Sequence, residues 1–203
     1  MTDYLQAVFD MLGPAINRDN EPADWLHLEQ EIGSPLPTDF KEFVARYAPA
    51  ELNDRLYIHH PGSDAWNLLR WMRETVEAFD ACEWEEVTAA SLNPGHLVFG
   101  KGGLIPLAST NGGEYLFLLP RPGNTPLLVV HVGDDDDFYE YDMSFAEWLY
   151  RYLSDEDMTG PNSSIGWNGP AQVSKPPRYV FRGPAMGPLA SGPGMTVSPL
   201  SNG

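Results

Sequence analysis

Residues 25–47 constrain the fold more than any other part of the chain, because they predict two short helices joined by a rigid corner. Apolar residues at the spacing of one helical face occur on both sides of a Gly-Ser-Pro-Leu-Pro corner. Gly33 suits the left-handed position after the first helix, and Pro37 suits the first turn of the second. Two such helices cannot bury their apolar faces alone, so we expect a sheet or further helices to cover them. The residues expected to hold this unit together are Trp25, Gly33, Leu36, Pro37 and Phe40.

Beyond this unit the chain changes from helical to strand-like patterns. A helix is predicted over 64–79, and short apolar runs then alternate with Gly- and Pro-rich turns, which indicates an antiparallel meander. Gly112 lies in one of these turns, and Ser144 and Glu147 have the spacing of a capping box before a last helix over 145–153. The runs that we expect to form strands are 56–58, 97–99, 104–107, 115–119, 127–132 and 138–141. This order predicts an α+β fold, with a mostly antiparallel central sheet and helices packed against it.

Composition divides the chain at residue 157. The last 44 residues hold eight Gly and eight Pro and few aliphatic side chains, which bury too little apolar surface to offset the entropy lost on ordering. We therefore predict an α+β domain over 1–157 and a disordered or extended tail over 158–203. Residues 178–181, Arg-Tyr-Val-Phe, are the part of the tail most suited to docking on the body.

Several features point to the cytoplasm. No stretch has the 18 or more consecutive apolar residues of a membrane span, and the N-terminal residues lack the basic start of a signal peptide. A single cysteine, Cys82, cannot form an internal disulfide and fits a reducing compartment. We expect a cytoplasmic protein.

The formal net charge of −17 is the strongest compositional signal. All 29 acidic residues precede residue 158, and with nine basic residues they give 1–159 a net charge of −20. Such a body disfavours nucleic acid as a direct ligand and fits a basic partner, although solubility alone is the other interpretation. The densest acidic run is Asp134, Asp135, Asp136 and Asp137, and a second cluster is Glu83, Glu85 and Glu86. We expect these residues to bind the partner; the alternative is a solvated turn that binds nothing.

Catalytic and metal-binding patterns are weak. Residues 95–102 nearly spell a phosphate-binding loop, but Gly102 replaces the required Ser or Thr and no helix follows. Neighbouring His59 and His60 point to opposite faces of a strand, so they cannot chelate one ion together. Acidic neighbours disfavour a nucleophilic thiolate at Cys82. We expect no enzymatic activity, no cofactor and no metal.

The ordered set of motifs resembles the SUKH superfamily, which includes the fungal cell-wall-synthesis regulator and many bacterial immunity proteins. The similarity starts at Trp25, Glu29 and Gly33, passes through Leu36 and Pro37, and resumes at the Asn-Gly-Gly-Glu turn of 111–114 and at 144–149. One departure is Tyr-Ala-Pro-Ala at 47–50, where family members often carry Gly-Gly. The resemblance implies an α+β fold and a protein that acts by binding, without catalysis.

Two functions follow from these observations. In the first, the chain is an immunity protein that binds and neutralises a cognate toxin, expected to be a nuclease, whose basic surface is attracted by the acidic body. In the second, it is a regulatory scaffold that recruits several partners, as the resemblance to the fungal regulator implies. The two differ in breadth, since an immunity protein has one dominant partner. An enzyme would require a cluster of titratable residues that the sequence does not reveal.

Overall fold

The computed structural model describes residues 2–17, 25–84, 87, 89–93, 96–121, 125–133, 137–164, 166–167 and 169–176. Within these ranges the chain forms five helices and one antiparallel sheet of seven strands in the order β6-β5-β4-β3-β2-β1-β7. The helices are α1 (Tyr4–Leu12), α2 (Trp25–Ile32), α3 (Thr38–Tyr47), α4 (Leu68–Asp80) and α5 (Phe145–Leu153). The strands are β1 (Ala50–Leu52), β2 (Leu56–Ile58), β3 (Ile105–Thr110), β4 (Tyr115–Leu119), β5 (Leu127–Val132), β6 (Asp137–Tyr141) and β7 (Val173–Ser174). This architecture confirms the predicted α+β fold.

The first face of the sheet is covered by the helices of the predicted two-helix unit together with α1 and α5. Leu116 and Leu118 of β4 share this core with Phe40 and Phe43 of α3 and with Trp148 of α5. Phe40 and the neighbouring Phe145 meet edge to face with ring centroids 5.0 Å apart, a geometry that aromatic rings favour. The α2–α3 unit therefore buries its apolar face against α5 and the sheet.

The second face is covered by the end of α4 and the loop that follows it. Tyr115 and Phe117 alternate with the residues of the first face and pack here against Phe79. Trp84 extends this cluster to Phe138 on β6, with ring centroids 5.3 Å apart. Both faces of the sheet are thus buried, which explains why its central strands carry continuous apolar runs.

The corner between α2 and α3 is held by a carboxylate. Glu29 accepts the backbone N–H of Leu36 at 2.9 Å and the ammonium group of Lys41 at 2.7 Å. Gly33 has φ of +73°, the left-handed conformation that ends α2, and Pro37 occupies the N-cap position of α3. Leu36 is buried, and Trp25 packs edge-on to Phe40 with ring centroids 6.4 Å apart.

Two local details differ from the sequence predictions. The N-cap of α4 is Asn67, whose side chain accepts the N–H of Arg70 at 2.9 Å, so the helix starts at Leu68 and not at Asp64. Residues 97–99 form no strand, because the turn at 100–103 folds the chain back and leaves only an isolated bridge between Phe99 and Leu104.

The capping residues of α5 divide their roles. Ser144 accepts the N–H of Glu147 at 3.1 Å, but the Glu147 side chain does not reach back and binds Arg151 at 2.7 Å instead. The N-terminus of α5 gains a partner from another helix, since Asp39 accepts the N–H of Ala146 at 2.8 Å.

Residues 158–176 include structure that the composition does not predict. Met158, Thr159 and Gly160 are buried, and Val173 and Ser174 pair with Leu52 and Glu51 to form the edge strand β7. The proposed domain boundary at 157 stays a prediction. Residues 178–181 lie outside the described residues.

Candidate partner-binding site

One end of the sheet, here called the turn end, collects three chain reversals. In an antiparallel meander alternate turns share an end, which brings together the β1–β2, β3–β4 and β5–β6 connections. Asn111 donates from its backbone N–H to the carbonyl of Arg55 and from its side chain to the carbonyl of Asp54, both at 3.0 Å. A Cβ at Gly133 would lie 3.3 Å from the carbonyl oxygen of Gly113, so the next turn is equally close.

Two carboxylates at the turn end flank a valine on the first face of the sheet. Val132 is paired with Asp137, and Glu114 lies beside Val132 because the following residue, Tyr115, is paired with His131. Asp137 alternates with buried Phe138 of the second face, so its side chain is on the first. Neighbouring strands are about 4.8 Å apart, which puts the backbones of Glu114 and Asp137 roughly 10 Å apart.

The described residues of 158–172, here called the crossing segment, run from the β6 side of the sheet to the β1 side. At the β6 side, the N–H of Gly160 donates to the Tyr141 hydroxyl at 3.0 Å. At the β1 side, Gln172 donates its N–H to the Asn53 side chain at 2.8 Å, and Asn53 returns a backbone hydrogen bond at 3.0 Å. The segment therefore covers part of the first face of the sheet, from the tyrosines of β6 to the β1–β2 turn.

A polar pocket of about 300 Å³ lies between the crossing segment and the sheet. Of the described residues that line it, only Arg55 is basic. The sheet contributes Arg55, Glu114, Val132 and Tyr139, and the crossing segment contributes 159–164. The Tyr139 hydroxyl donates to Asp137 at 3.4 Å, which connects the acidic run to the pocket wall.

The Glu114 carboxylate is only partly satisfied. Its Oε1 lies 3.4 Å from Arg55, a long contact, and its Oε2 is buried without a hydrogen-bond partner. The Glu114 side chain is 13% exposed, whereas that of Arg55 is 34% exposed. A buried carboxylate oxygen without a donor costs free energy.

One tyrosine, Tyr152, lies near this carboxylate. Burial raises the pKa of Tyr152, and of the two charged groups that act on it Arg55 lowers this pKa and Glu114 raises it. Tyr152 is 5% exposed and its hydroxyl has no hydrogen-bond partner. Burial also raises the pKa of Tyr141, which keeps it neutral as the acceptor for Gly160.

The structure separates the acidic residues singled out from the sequence. Asp137 lies at the edge of the pocket, whereas Asp134, Asp135, Asp136, Glu85 and Glu86 lie outside the described residues. Glu83 is exposed, and the next residue, Trp84, packs on the second face, so the structure does not bring Glu83 to the pocket. Gly112 lies in the β3–β4 turn, where its N–H donates to the Thr110 hydroxyl at 3.1 Å.

Sequence reasoning missed Arg55, Glu114, Tyr139 and the crossing segment as a site. Glu114 comes directly after the Asn-Gly-Gly turn, and an antiparallel meander places alternate turns at the same end of the sheet. Together these two signals could have placed Glu114 beside the acidic run. The crossing segment gives no such signal, because only its contacts with Asn53 and Tyr141 position it.

A second cavity, here called the apolar groove, lies toward the other end of β3. It has a volume of about 520 Å³, and its apolar lining includes Ile32 of α2, Leu69, Met72 and Val76 of α4, and Ile105 of β3. Charged side chains at its rim include the ion pair between Arg73 and Glu31. The groove is thus distinct from the polar pocket in place and in chemistry.

The other residues weighed for chemistry lie in structural settings. His59 stacks on Trp71 with ring centroids 4.6 Å apart, and burial lowers its pKa to about 3. The Cys82 thiol donates to the carbonyl of Ala78 at 3.3 Å. Among the described residues, no three or more His, Cys, Asp and Glu side chains are grouped so that they could hold a metal ion. In the same part of the chain, no helix has the length and apolar character needed to cross a membrane.

Comparison with known proteins gives one family. No curated protein sequence is significantly similar to the chain, and no solved structure is either. The model of the SMI1/KNR4 family (SUKH-1) matches residues 20–151, which include α2 to α4, strands β1 to β6, the turn end of the sheet and most of α5. This match covers well over half of the 203 residues. The chain therefore belongs to the SMI1/KNR4 family (SUKH-1).

Proposed function

We propose that this protein is an immunity protein, which binds a basic toxin domain at the turn end of the sheet and neutralises it without catalysis. The observation that carries the proposal is the juxtaposition of Glu114 and Asp137 beside a polar pocket whose described lining holds one basic residue. Three further aspartates stand in sequence immediately before Asp137. Membership of the SMI1/KNR4 family supports a role in protein–protein interaction.

The charge distribution explains how such a partner would be captured. A body with a net charge of −20 attracts a basic surface over about one Debye length, roughly 10 Å at 0.1 M salt. Rim charges of this kind increase the association rate more than the affinity. A nuclease toxin presents a basic surface to its polyanionic substrate. The acidic edge, here meaning Glu114, Asp137 and the three aspartates that precede Asp137 in sequence, would occupy that surface.

The experiment starts with capture of partners by the tagged full-length protein from cells of its source, at low and at moderate salt, with mass spectrometry. One dominant basic partner is expected. Its association is then measured for a variant with Asp134, Asp135, Asp136 and Asp137 changed to Asn. At low salt we expect association to be about tenfold slower or more, in line with electrostatic steering, and the difference to shrink at high salt. The captured toxin should lose its activity when bound.

A matched control separates local charge from total charge. Asp10, Glu42, Asp64 and Glu74 are exposed, lie outside the chain reversals of the turn end, and can be changed to their amides with the same change in net charge. The control variant should associate at nearly the rate of the unmodified protein. Equal slowing of both variants, or no slowing of either, would contradict capture by the acidic edge.

A regulatory scaffold is the second candidate function. The apolar groove favours it, because a protein that recruits several partners needs a surface apart from the acidic edge. Several unrelated partners that persist in the aspartate variant, and that depart when Val76 in the groove becomes Asp, would establish the scaffold. A single partner whose binding is unchanged by Val76→Asp would support the immunity function instead.

A further inference from the structure

The lining of the polar pocket indicates which group of the partner enters it. We propose that the pocket receives an arginine side chain, with Glu114 as the carboxylate that pairs with its guanidinium group. This inference rests on the proposed function, since it specifies the chemistry of what the acidic edge captures. Three features of the pocket carry it, namely the state of Glu114, the other lining groups and the hydrogen bonds of the crossing segment.

The first feature is the unused hydrogen-bonding capacity of Glu114. A carboxylate can accept two parallel N–H bonds from one guanidinium group, yet here Oε2 has no partner and Oε1 has one contact at 3.4 Å. Arg55 occupies the neighbourhood without forming the two short bonds of a bidentate pair. Arg55 is therefore a cation that an incoming arginine can displace. The arginine then pairs with Glu114, and the partly exposed Arg55 side chain turns outward.

The second feature is the mixture of lining groups. Val132 offers an apolar surface to the aliphatic stem of a long side chain, as Arg and Lys stems require. The pocket also has hydroxyl oxygens from Thr159, Ser163 and Ser164. A guanidinium group has five N–H donors in a fixed plane, whereas an ammonium group has three around one point. Several separated acceptors around one carboxylate therefore favour arginine over lysine.

The third feature argues against an anion in the same pocket. An anion site needs backbone N–H groups that point into it, but four of those in 159–164 are engaged within the protein. Asp157 accepts the N–H groups of Asn162 at 3.1 Å and Ser164 at 2.8 Å. The N–H of Thr159 donates to the Ser163 hydroxyl at 3.0 Å. With these donors occupied and Asp137 nearby, the pocket selects a cation.

The test uses small probes and the full-length protein. N-acetyl-arginine amide is titrated while ¹H–¹⁵N spectra are recorded, with N-acetyl-citrulline amide as a neutral probe of the same shape and N-acetyl-lysine amide as a second cation. The arginine probe should shift amide signals at Gly112, Gly113 and Ser163. The citrulline probe should leave them in place, and the lysine probe should bind more weakly. Equal shifts from arginine and citrulline, or equal affinity for arginine and lysine, would overturn the proposal.

Variants locate the interaction. Glu114→Gln should weaken binding of the arginine probe at least tenfold, and Asp142→Asn, an exposed acidic residue paired with Arg121 elsewhere, should not. Arg55→Gln removes the cation that competes for Glu114 and should tighten binding of the arginine probe. This second variant keeps the proposal testable if Glu114→Gln fails to fold. Binding that survives Glu114→Gln, or that weakens in Arg55→Gln, would refute it.

The proposed function and this inference can fail separately. A captured toxin whose association depends on the four aspartates but not on Glu114 would support the proposed function and refute the arginine pocket. Specific binding of the arginine probe without any captured toxin would support the arginine pocket and refute the immunity function.

Discussion

The corner between α2 and α3 depends on Glu29, and replacing this residue should measurably destabilise the protein. Glu29 is 20% exposed and accepts hydrogen bonds from the buried Leu36 and from Lys41. A hydrogen bond to a charged group contributes about 1.5–3 kcal/mol. A partly exposed ion pair adds about 0.2–1 kcal/mol. Because the two effects overlap, we expect Glu29→Ala to lower the free energy of unfolding by about 2 kcal/mol.

The effect should depend on pH. Burial raises the pKa of Glu29, but the hydrogen bond from Lys41, the N–H of Leu36 and the charge of Lys41 together outweigh it and lower this pKa below its usual 4.5. A carboxyl group with a lowered pKa in the folded state stabilises the protein above its unfolded pKa, and this contribution is lost as the pH falls through the folded value. The difference between the unmodified protein and Glu29→Ala should therefore be largest near neutral pH and shrink in acid.

Urea denaturation followed by tryptophan fluorescence at neutral and acidic pH measures both quantities. Glu29→Gln keeps an oxygen acceptor for Leu36 and should lose less stability than Glu29→Ala. The control is Glu42→Ala, an exposed glutamate of α3, which should change stability by less than about 0.5 kcal/mol. A loss of that small size in Glu29→Ala, or an equal loss at both pH values, would refute the role given to Glu29.

Three further predictions concern Gly33, Ser144 and His59. Gly33→Ala should lower the free energy of unfolding by about 1–2 kcal/mol, because an L-residue is strained at φ of +73° and its Cβ would lie 2.7 Å from Cγ of Lys101; an unchanged urea midpoint would contradict this. Ser144→Ala should cost about 1 kcal/mol through loss of the α5 cap, and Ser144→Asp should restore most of it, so equal losses in both variants would speak against capping. His59 has a pKa lowered by burial to about 3, so the unfolded chain takes up a proton first and stability falls as the pH drops from 6.5 toward 3. His59→Phe should flatten that fall in denaturation curves, and an identical slope would show that other groups cause it.

The sequence predicts best those parts of the fold that are decided within a few residues. The left-handed Gly33, the Ser144 cap and the Asn-Gly-Gly turn between β3 and β4 follow from local backbone preferences, and the structure has them at these positions. Prediction is wrong where two nearby residues are almost equally suited to the same structural role. Asp64 and Asn67 are both good helix caps, and Asn67 prevails because its amide group also donates to the carbonyl of Pro61 at 2.7 Å.

Glu147 shows the same competition within one side chain. Its position allows a capping box with Ser144, but Arg151 lies one turn further along α5 and offers two donors, at 3.1 and 2.7 Å. An ion pair at this spacing is about as favourable as the reciprocal cap. Sequence spacing therefore identifies the candidates for such a residue, and the three-dimensional surroundings select among them.

The polar pocket required information that local pattern does not hold. Its lining combines Arg55, Glu114 and Tyr139 with a segment that begins beyond the compositional boundary at residue 157. That segment is positioned by the pairing of Asn53 with Gln172, residues 119 positions apart in the chain. A Gly- and Pro-rich composition describes how little apolar surface a segment can bury, and it does not determine whether backbone hydrogen bonds place the segment against a charged edge. The acidic run could be found from sequence because charge is local, whereas the pocket beside it depends on the register of the sheet and on residues from both sides of the boundary.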